Sequence, residues 1–380
     1  MKLSPTLALL FVFYPSLLYA QAAKEPKVSF EDVLKARYES WTKDLPTGKI
    51  TADRVNSLVN NPRIHGDDAA AVAALHLYFR AQNNVTSVEE SALLQTSKIM
   101  DSDERRDQLT KPVNLEQAFS RYRKHIQNAP KELFAKDAPK REGISQGRLG
   151  DCFVIAPIGI FVTQHPNRLK GMIDQIIDGS CLVNFPGVKP VRVPKLTEVQ
   201  IALGSSAGEQ GLWLNMMEEA CAMELRTLTG KKSAVAMDLI SSGGTTAKII
   251  QMLTGHSVES THLQPADTKE RAKVEAEVRR VLTAVHKDKI IACATTSHTK
   301  KEDATPGIAT GHAYGIVDYN TATDMVTLWN PWGNKLEPKG PDGIKFGYST
   351  VSGVFSVPLK DFLKLYETLL NQTNKPLPKK

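Results

Sequence analysis

Cysteine, arginine-rich arms and long apolar runs are all scarce in this chain. Four cysteines among 380 residues cannot form the dense disulfide framework of a small secreted scaffold. Lys and Arg outnumber Asp and Glu by 48 to 41, a formal charge of +7. The basic residues are dispersed and no aromatic-basic stripe accompanies them, so the pattern gives no support to a nucleic-acid partner. The one apolar run of note is Leu7–Tyr19. It follows Lys2, contains Pro15 and leads into Ala20, Ala22 and Ala23, the layout of a secretory leader and not of a permanent membrane anchor. Residues 1–22 are therefore expected to be removed on export, leaving a secreted or periplasmic protein that starts near Gln21 or Ala23. No cofactor motif is evident and no metal is expected. The cluster His65, Asp67 and Asp68 reads as an Asp-capped helix start, because no second ligand group lies nearby.

What is present is the composition of a globular protein, with 41% hydrophobic and 23% charged residues and length for two or three units. Residues 24–140 have a helical, polar-faced pattern. Val33, Leu34, Tyr38 and Trp41 recur at spacings of three and four, and Ala69–Ala81 is a strong helix former. This region carries no chemistry of its own and is expected to be an accessory helical domain or a propeptide. The Lys- and Pro-rich stretch Pro130–Arg141 marks its boundary. Residues 141–370 follow as a second unit, and 371–380 as a flexible tail. Short strands are expected around Cys181–Phe185 and Val191–Val193, and helices over Leu212–Leu228, Thr246–Leu253 and Asp267–His286. The period then changes, and Lys289–Ala294, His312–Tyr319 and Met325–Trp329 read as strands. Helices first and antiparallel strands second make an α+β arrangement.

The chemistry centres on Gln146-Gly147-Arg148-Leu149-Gly150-Asp151-Cys152. Gly147 and Gly150 allow a tight loop, Asp151 suits a helix N-cap, and the apolar run Phe153–Ile158 suits a buried helix. Cys152 would then lie in the first helical turn, where unpaired amides and the helix dipole favour a thiolate. Gln146 could offer its amide as an oxyanion donor. A lone cysteine in such a setting is more often structural, but two downstream residues change the balance. His312 opens one strand and Asn330 closes the next. A hairpin brings those two ends together, so that the Asn amide oxygen can fix the imidazole and leave its other nitrogen for the thiol. Trp332 could cover that bond and exclude water. Cys181, Cys221 and Cys293 are expected mainly as buried free thiols, with a pair among them left open.

The Gln146–Cys152 block, Gly311-His312-Ala313-Tyr314 and Asn330-Pro331-Trp332-Gly333 resemble the active-site blocks of the calpain family of cysteine proteases. The likeness extends over about Glu142–Leu370 and includes Leu212–Ala220, Ser242–Gly244, Leu253–Gly255 and Phe355–Phe362. It implies a papain-like core in which a helical Cys152 lobe faces an antiparallel β lobe carrying His312 and Asn330. By the same resemblance Cys152 is the nucleophile, His312 the acid/base and Asn330 its orienter. Gln146 joins the Cys152 amide as oxyanion donor, Trp332 is a shield, and Gly243, Gly244 and Gly311 let a protein or peptide substrate lie close. The function implied is thiol endopeptidase, cutting proteins in a limited way through an acyl-enzyme. A silent binding module on the same fold and an acyl transferase are the alternatives.

Three departures stand out. Phe153 replaces the family's Trp after the cysteine. Gly211 and Ser352-Gly353-Val354 stand where many calpains carry acidic calcium ligands, and no calcium-binding hand domain is recognisable. Calcium needs several hard oxygen ligands, so a calcium-independent core is expected.

Overall fold

The computed structural model describes residues 28–82, 84–96, 113–135, 139–186, 188–231, 233–298 and 304–378; the expected leader, residues 1–22, lies outside them. The chain has a mixed α+β architecture with a helical N-terminal part and antiparallel sheets. Helices run over Phe30–Thr42, Ala52–Val59, Gly66–Ala81, Glu90–Thr96 and Leu115–Asn128. The first starts with a capping box between Ser29 and Asp32, which satisfies two otherwise orphaned groups at its N-terminus. Gly66–Ala81 is the innermost, with every residue from Ala69 to Phe79 buried. A helix that is apolar on all sides has to be walled in on all sides. Its start is not capped by Asp as the sequence suggests. His65 holds the N-cap position without a side-chain bond, and Glu198 from a distant helix accepts the Gly66 N–H at 2.6 Å. Asp67 and Asp68 instead meet Arg123 and Arg37 at 2.6 and 2.9 Å, arginines on the neighbouring helices.

Those walls are supplied from both sides of residue 140. Ala70, Leu75, Phe119 and Tyr122 share one buried cluster with Val154, Ile158, Trp213 and Leu253. Long-range polar links reinforce it. Thr197 Oγ1 donates to the Val59 carbonyl at 2.6 Å, and Asn60 Nδ2 to the Ala234 carbonyl at 2.9 Å. Each fully buried Val, Leu, Ile or Phe is worth roughly 1.5–3 kcal/mol, against a total domain stability of about 5–15 kcal/mol. The N-terminal helices therefore contribute to the same buried cluster as the Cys152 helix. They belong to the body that holds Cys152.

The cysteine helix Cys152–Gln164 is buried from Cys152 to Val162. It lies on a six-stranded sheet whose order is Val354–Pro358, Met325–Trp329, Ala313–Asn320, Ala292–Thr295, Thr368–Pro376, His256–His262. The paired strands run antiparallel. Period-two alternation gives the sheet two faces. Ala313 and Cys293 belong to the core of the cysteine helix. Tyr314, Ile316 and Ala294 join a second core under Val278, Val281, Leu282 and Val285 of the helix Thr268–Asp288. Close approach of helix and sheet depends on two glycines: a side chain at Gly159 would enter the Trp329 ring, and one at Gly315 would strike Ile160.

A small sheet of Ile173–Gln175, Cys181–Val183 and Val191–Val193 lies elsewhere in the first core. The expected helix at Leu212–Leu228 runs Trp213–Thr229 and stops at Gly230 with φ 64°. Leu228, expected on its apolar side, is 39% exposed, because only the stretch Trp213–Ala222 is enclosed. The strand expected at Lys289–Ala294 begins at Ala292. The stretch read as a flexible tail from residue 371 is a strand as far as Pro376, since Ala292–Thr295 and His256–His262 both need a partner between them. All four cysteines are buried free thiols.

Candidate active site

The hairpin Ala313–Asn320/Met325–Trp329 pairs Gly315 with Trp329, which puts His312 and Asn330 side by side just beyond the paired residues. Ring nitrogen Nε2 of His312 lies 2.9 Å from Asn330 Oδ1. The same oxygen accepts the Trp332 N–H at 3.0 Å. The Trp332 ring covers the imidazole at 4.3 Å between centroids, and Tyr314 meets it edge-on at 4.9 Å. His312 is 4% exposed and Asn330 fully buried. An imidazole bonded in this way carries its proton on Nε2 and keeps a lone pair on Nδ1. Gly353 supports the arrangement from behind. It accepts the Asn330 N–H at 2.8 Å, and its φ of 79° and the crowding of the Asn330 carbonyl exclude any side chain there.

Cys152 opens its helix as expected, and the backbone amide of Ala313, the residue after His312, acts on its sulfur to favour the thiolate. The expected ionisation does not follow. Burial pushes the Cys152 thiol up to about 11, and the negative field of Asp151 adds to this. The amides of Ala313, Phe153 and Cys152 itself act the other way and are outweighed. Desolvation of a charge costs more than one helix end returns. The balance of these effects favours the neutral thiol.

Asp151 stands at the N-cap position but makes no capping bond. Its carboxylate is fully buried and accepts Gln146 Nε2 at 2.9 Å. The other Gln146 amide hydrogen goes to the Leu149 carbonyl at 2.8 Å. The amide expected to be free for an oxyanion is thus fully engaged, because the buried acceptor Asp151 competes for it. The main chain of Gln146 reaches the opposite side of the site, donating to the Pro331 carbonyl at 2.9 Å.

Glu218, also fully buried, stands within hydrogen-bond range of Asp151. It accepts the Ser205 N–H and hydroxyl, each at 2.9 Å. Burial raises the pKa of both acids, that of Glu218 the more strongly, and the negative field of Asp151 adds to the Glu218 shift. Two buried carboxyls this close are held from ionising together, and the pair titrates as a unit. Sequence reasoning missed Glu218, although a Glu-Glu pair inside the apolar stretch Trp213–Ala222 was the available signal.

Of the three glycines assigned to the substrate, Gly243 is open and carries a φ of 84°. The place of a side chain at Gly244 is taken by the Phe153 ring, and at Gly311 by His298 Nδ1, 2.6 Å from where a Cβ would sit. Those two glycines make room for neighbouring side chains. Gly243 adjoins the Cys152 loop, its N–H donating to the Gly150 carbonyl at 3.0 Å. Beside it opens a cavity of about 520 Å³ lined by Phe153, Leu225, Leu239 and Ala247.

Gly211 has a φ of 105° and the Leu133 carbonyl occupies the space of its missing side chain, while Gly353 is closed in by Asn330. Among the described residues no group of three or more His, Cys, Asp or Glu side chains is placed to hold a metal ion.

The buried His312–Asn330 pair thus lies beside the start of the strand on which the Cys152 helix packs. The sequence profile of the calpain family of cysteine proteases matches residues 95–342, and the chain belongs to that family. It is 26% identical to Calpain-13 of Rattus norvegicus over 228 residues, 53% of this chain and 30% of that protein. It is 25% identical to the Calpain-type cysteine protease DEK1 of Arabidopsis thaliana over 225 residues, 55% of this chain and 10% of that protein. The chain thus covers less than a third of either relative. The family profile begins 47 residues before the Glu142 start expected from the motifs, inside the helical segment.

Proposed function

We propose that this protein is an exported thiol endopeptidase with a papain-like two-sided cleft. Cys152 is its nucleophile, His312 its acid/base and Asn330 the residue that holds the imidazole. The observation that carries the reading is the His312–Asn330 bond under Trp332, one residue from the Ala313 amide that acts on the Cys152 sulfur. In the first half-reaction His312 Nδ1 takes the thiol proton as sulfur attacks the peptide carbonyl carbon. The tetrahedral oxyanion collapses, the C–N bond breaks, and the imidazolium protonates the leaving amine. Water then attacks the thioester, giving up its proton to His312, and the thiolate leaves and recovers it. A neutral resting thiol fits this order of events, because the sulfur ionises only when proton transfer to His312 accompanies attack. Gln146 serves the oxyanion if one amide hydrogen is released from Asp151 or Leu149. The cavity beside Gly243 accepts an apolar substrate side chain. Export rests on the leader-like run Leu7–Tyr19, and calcium independence on the lack of carboxylates at Gly211 and across Ser352-Gly353-Val354.

The raised Cys152 thiol and the engaged Gln146 amide favour a second reading, a binding module that keeps the fold without turnover. One experiment separates the two. Full-length protein is incubated with casein and a peptide library, with and without a calcium chelator, beside Cys152→Ala. Cleavage by the wild type alone, unchanged by chelator, is expected. Equal cleavage by both proteins ends the catalytic claim, and chelator-sensitive cleavage restored by calcium ends the calcium claim.

A further inference from the structure

Arg80 ends the buried helix Gly66–Ala81, in a part of the chain that lies before the family match at residues 95–342. Its side chain is only 14% exposed and turns inward. Nη2 donates to the Ser241 carbonyl at 3.1 Å, and Nε lies 3.8 Å from Asp238 Oδ1. His76, one turn earlier, places Nε2 3.1 Å from the same carboxylate oxygen. Asp238 in turn shapes the loop, its carbonyl accepting the Ser241 hydroxyl at 2.7 Å.

The Ser241 carbonyl has a second donor, the Gly150 N–H at 2.9 Å, and Gly243 N–H returns a bond to the Gly150 carbonyl at 3.0 Å. Only a glycine permits this approach, since a Cβ at residue 150 would lie 2.6 Å from the Ser241 oxygen. The joint ties the open glycine Gly243 to the loop that delivers Cys152 two residues later. Because Gly150 already satisfies that carbonyl, the Arg80 bond is not needed to pair a buried acceptor. It fixes where the joint sits. The same guanidinium is a cation whose field reaches buried Asp151 and lowers its pKa against the effect of burial.

We propose that Arg80 is a positioning residue for the reaction, locking the Ser241–Gly244 loop onto the Gly150–Cys152 loop. The N-terminal helices would then be a working part of the site and not a removable cover. This rests on the thiol-protease reading, and it deepens that reading with a residue from outside the family match.

The test uses the full chain as wild type, Arg80→Lys and Arg80→Met. Peptide cleavage, iodoacetamide alkylation of Cys152 and the melting temperature are measured on each. Arg80→Met is expected to lower kcat about tenfold with KM within about twofold, because an ångström-scale misplacement acts on the reacting geometry. Alkylation slows in parallel. Arg80→Lys keeps the charge without the fork and falls about threefold, between the other two. A well-folded Arg80→Met with wild-type kcat and alkylation rate overturns the proposal, as does a rise in KM alone. If Arg80→Met does not fold, Arg80→Lys decides it: unchanged kcat at unchanged melting temperature overturns it. Should the wild type cleave no peptide, the proteolytic reading fails by itself. The alkylation rates still judge Arg80, and equal rates in all folded variants count against it.

Discussion

The two sides of the candidate site are put together by different means. On the His312 side one hairpin does the work: its register, a turn and an Asn-Pro-Trp corner bring His312, Asn330 and Trp332 into contact within 21 residues of sequence. On the Cys152 side almost nothing is local. Gln146 and Asp151 share a loop, but Glu218, Ser205, Ser241 and Arg80 come from places spread over 162 residues, joined by buried polar contacts. A site can therefore take one half from a short rigid motif and the other from the packing of a whole lobe. The first half is specified cheaply. The second is sensitive to every helix that packs around it.

Substitutions can break or sharpen that contrast. The largest effect is expected from His312→Ala, which should lower kcat/KM by about 10³-fold through loss of general acid/base catalysis. A local motif predicts little change in melting temperature. A large drop in stability would show that the hairpin side is as dependent on its surroundings as the other.

Next comes pH. Burial pushes Glu219 on the Cys152 side up to about 7 from an ordinary 4.5, with the Asp238 field helping and Arg226 opposing. The folded protein holds this proton at pH values where the unfolded chain has lost it. Stability is then full below about pH 4.5 and declines as the pH rises towards 7, by about 3 kcal/mol for this group. Denaturant unfolding at pH 4.5 and pH 8 measures the decline, and Glu219→Gln should remove most of it. A decline unchanged in Glu219→Gln would move its origin to Asp151 and Glu218.

The smallest effect is expected at Gly244. A methyl group there meets the Phe153 ring and should cost about 1–3 kcal/mol by overpacking, measurable by thermal melting. Gly243→Ala meets no neighbour within 4 Å and is strained only by its φ of 84°, which costs an L residue roughly 1–2 kcal/mol. If the two variants melt alike, packing against Phe153 is not what distinguishes these glycines.

These differences explain what could be read in advance. Periodicity located most helices and the hairpin, because an amphipathic face or a two-residue alternation is written into consecutive positions. The strands His256–His262 and Thr368–Pro376 escaped, since the first is mostly polar and both are held by distant partners. The order Gln, Cys, His, Asn pointed to the candidate site, but nothing in it signalled the burial that pushes the Cys152 thiol up. A helix end visible in sequence argues for a thiolate, whereas the burial and the Asp151 field that oppose it exist only after folding. Arg80 and Glu218 left faint marks, a charge closing an apolar helix and an acid inside one. Their partners lie 161 and 67 residues away, beyond any spacing rule. The packing shared across residue 140 was hidden for a related reason. A Pro/Lys-rich stretch signals a change of local structure, not where one core stops.

The central sheet has an order of assembly built into it. Strand Thr368–Pro376 lies between Ala292–Thr295 and His256–His262, so the two earlier strands share no edge until residues 368–376 have left the ribosome. During synthesis His256–His262 stays detached from the sheet that carries His312. The four strands beneath the Cys152 helix and the His312 hairpin are complete by Pro358, so only that edge waits for the end of the chain.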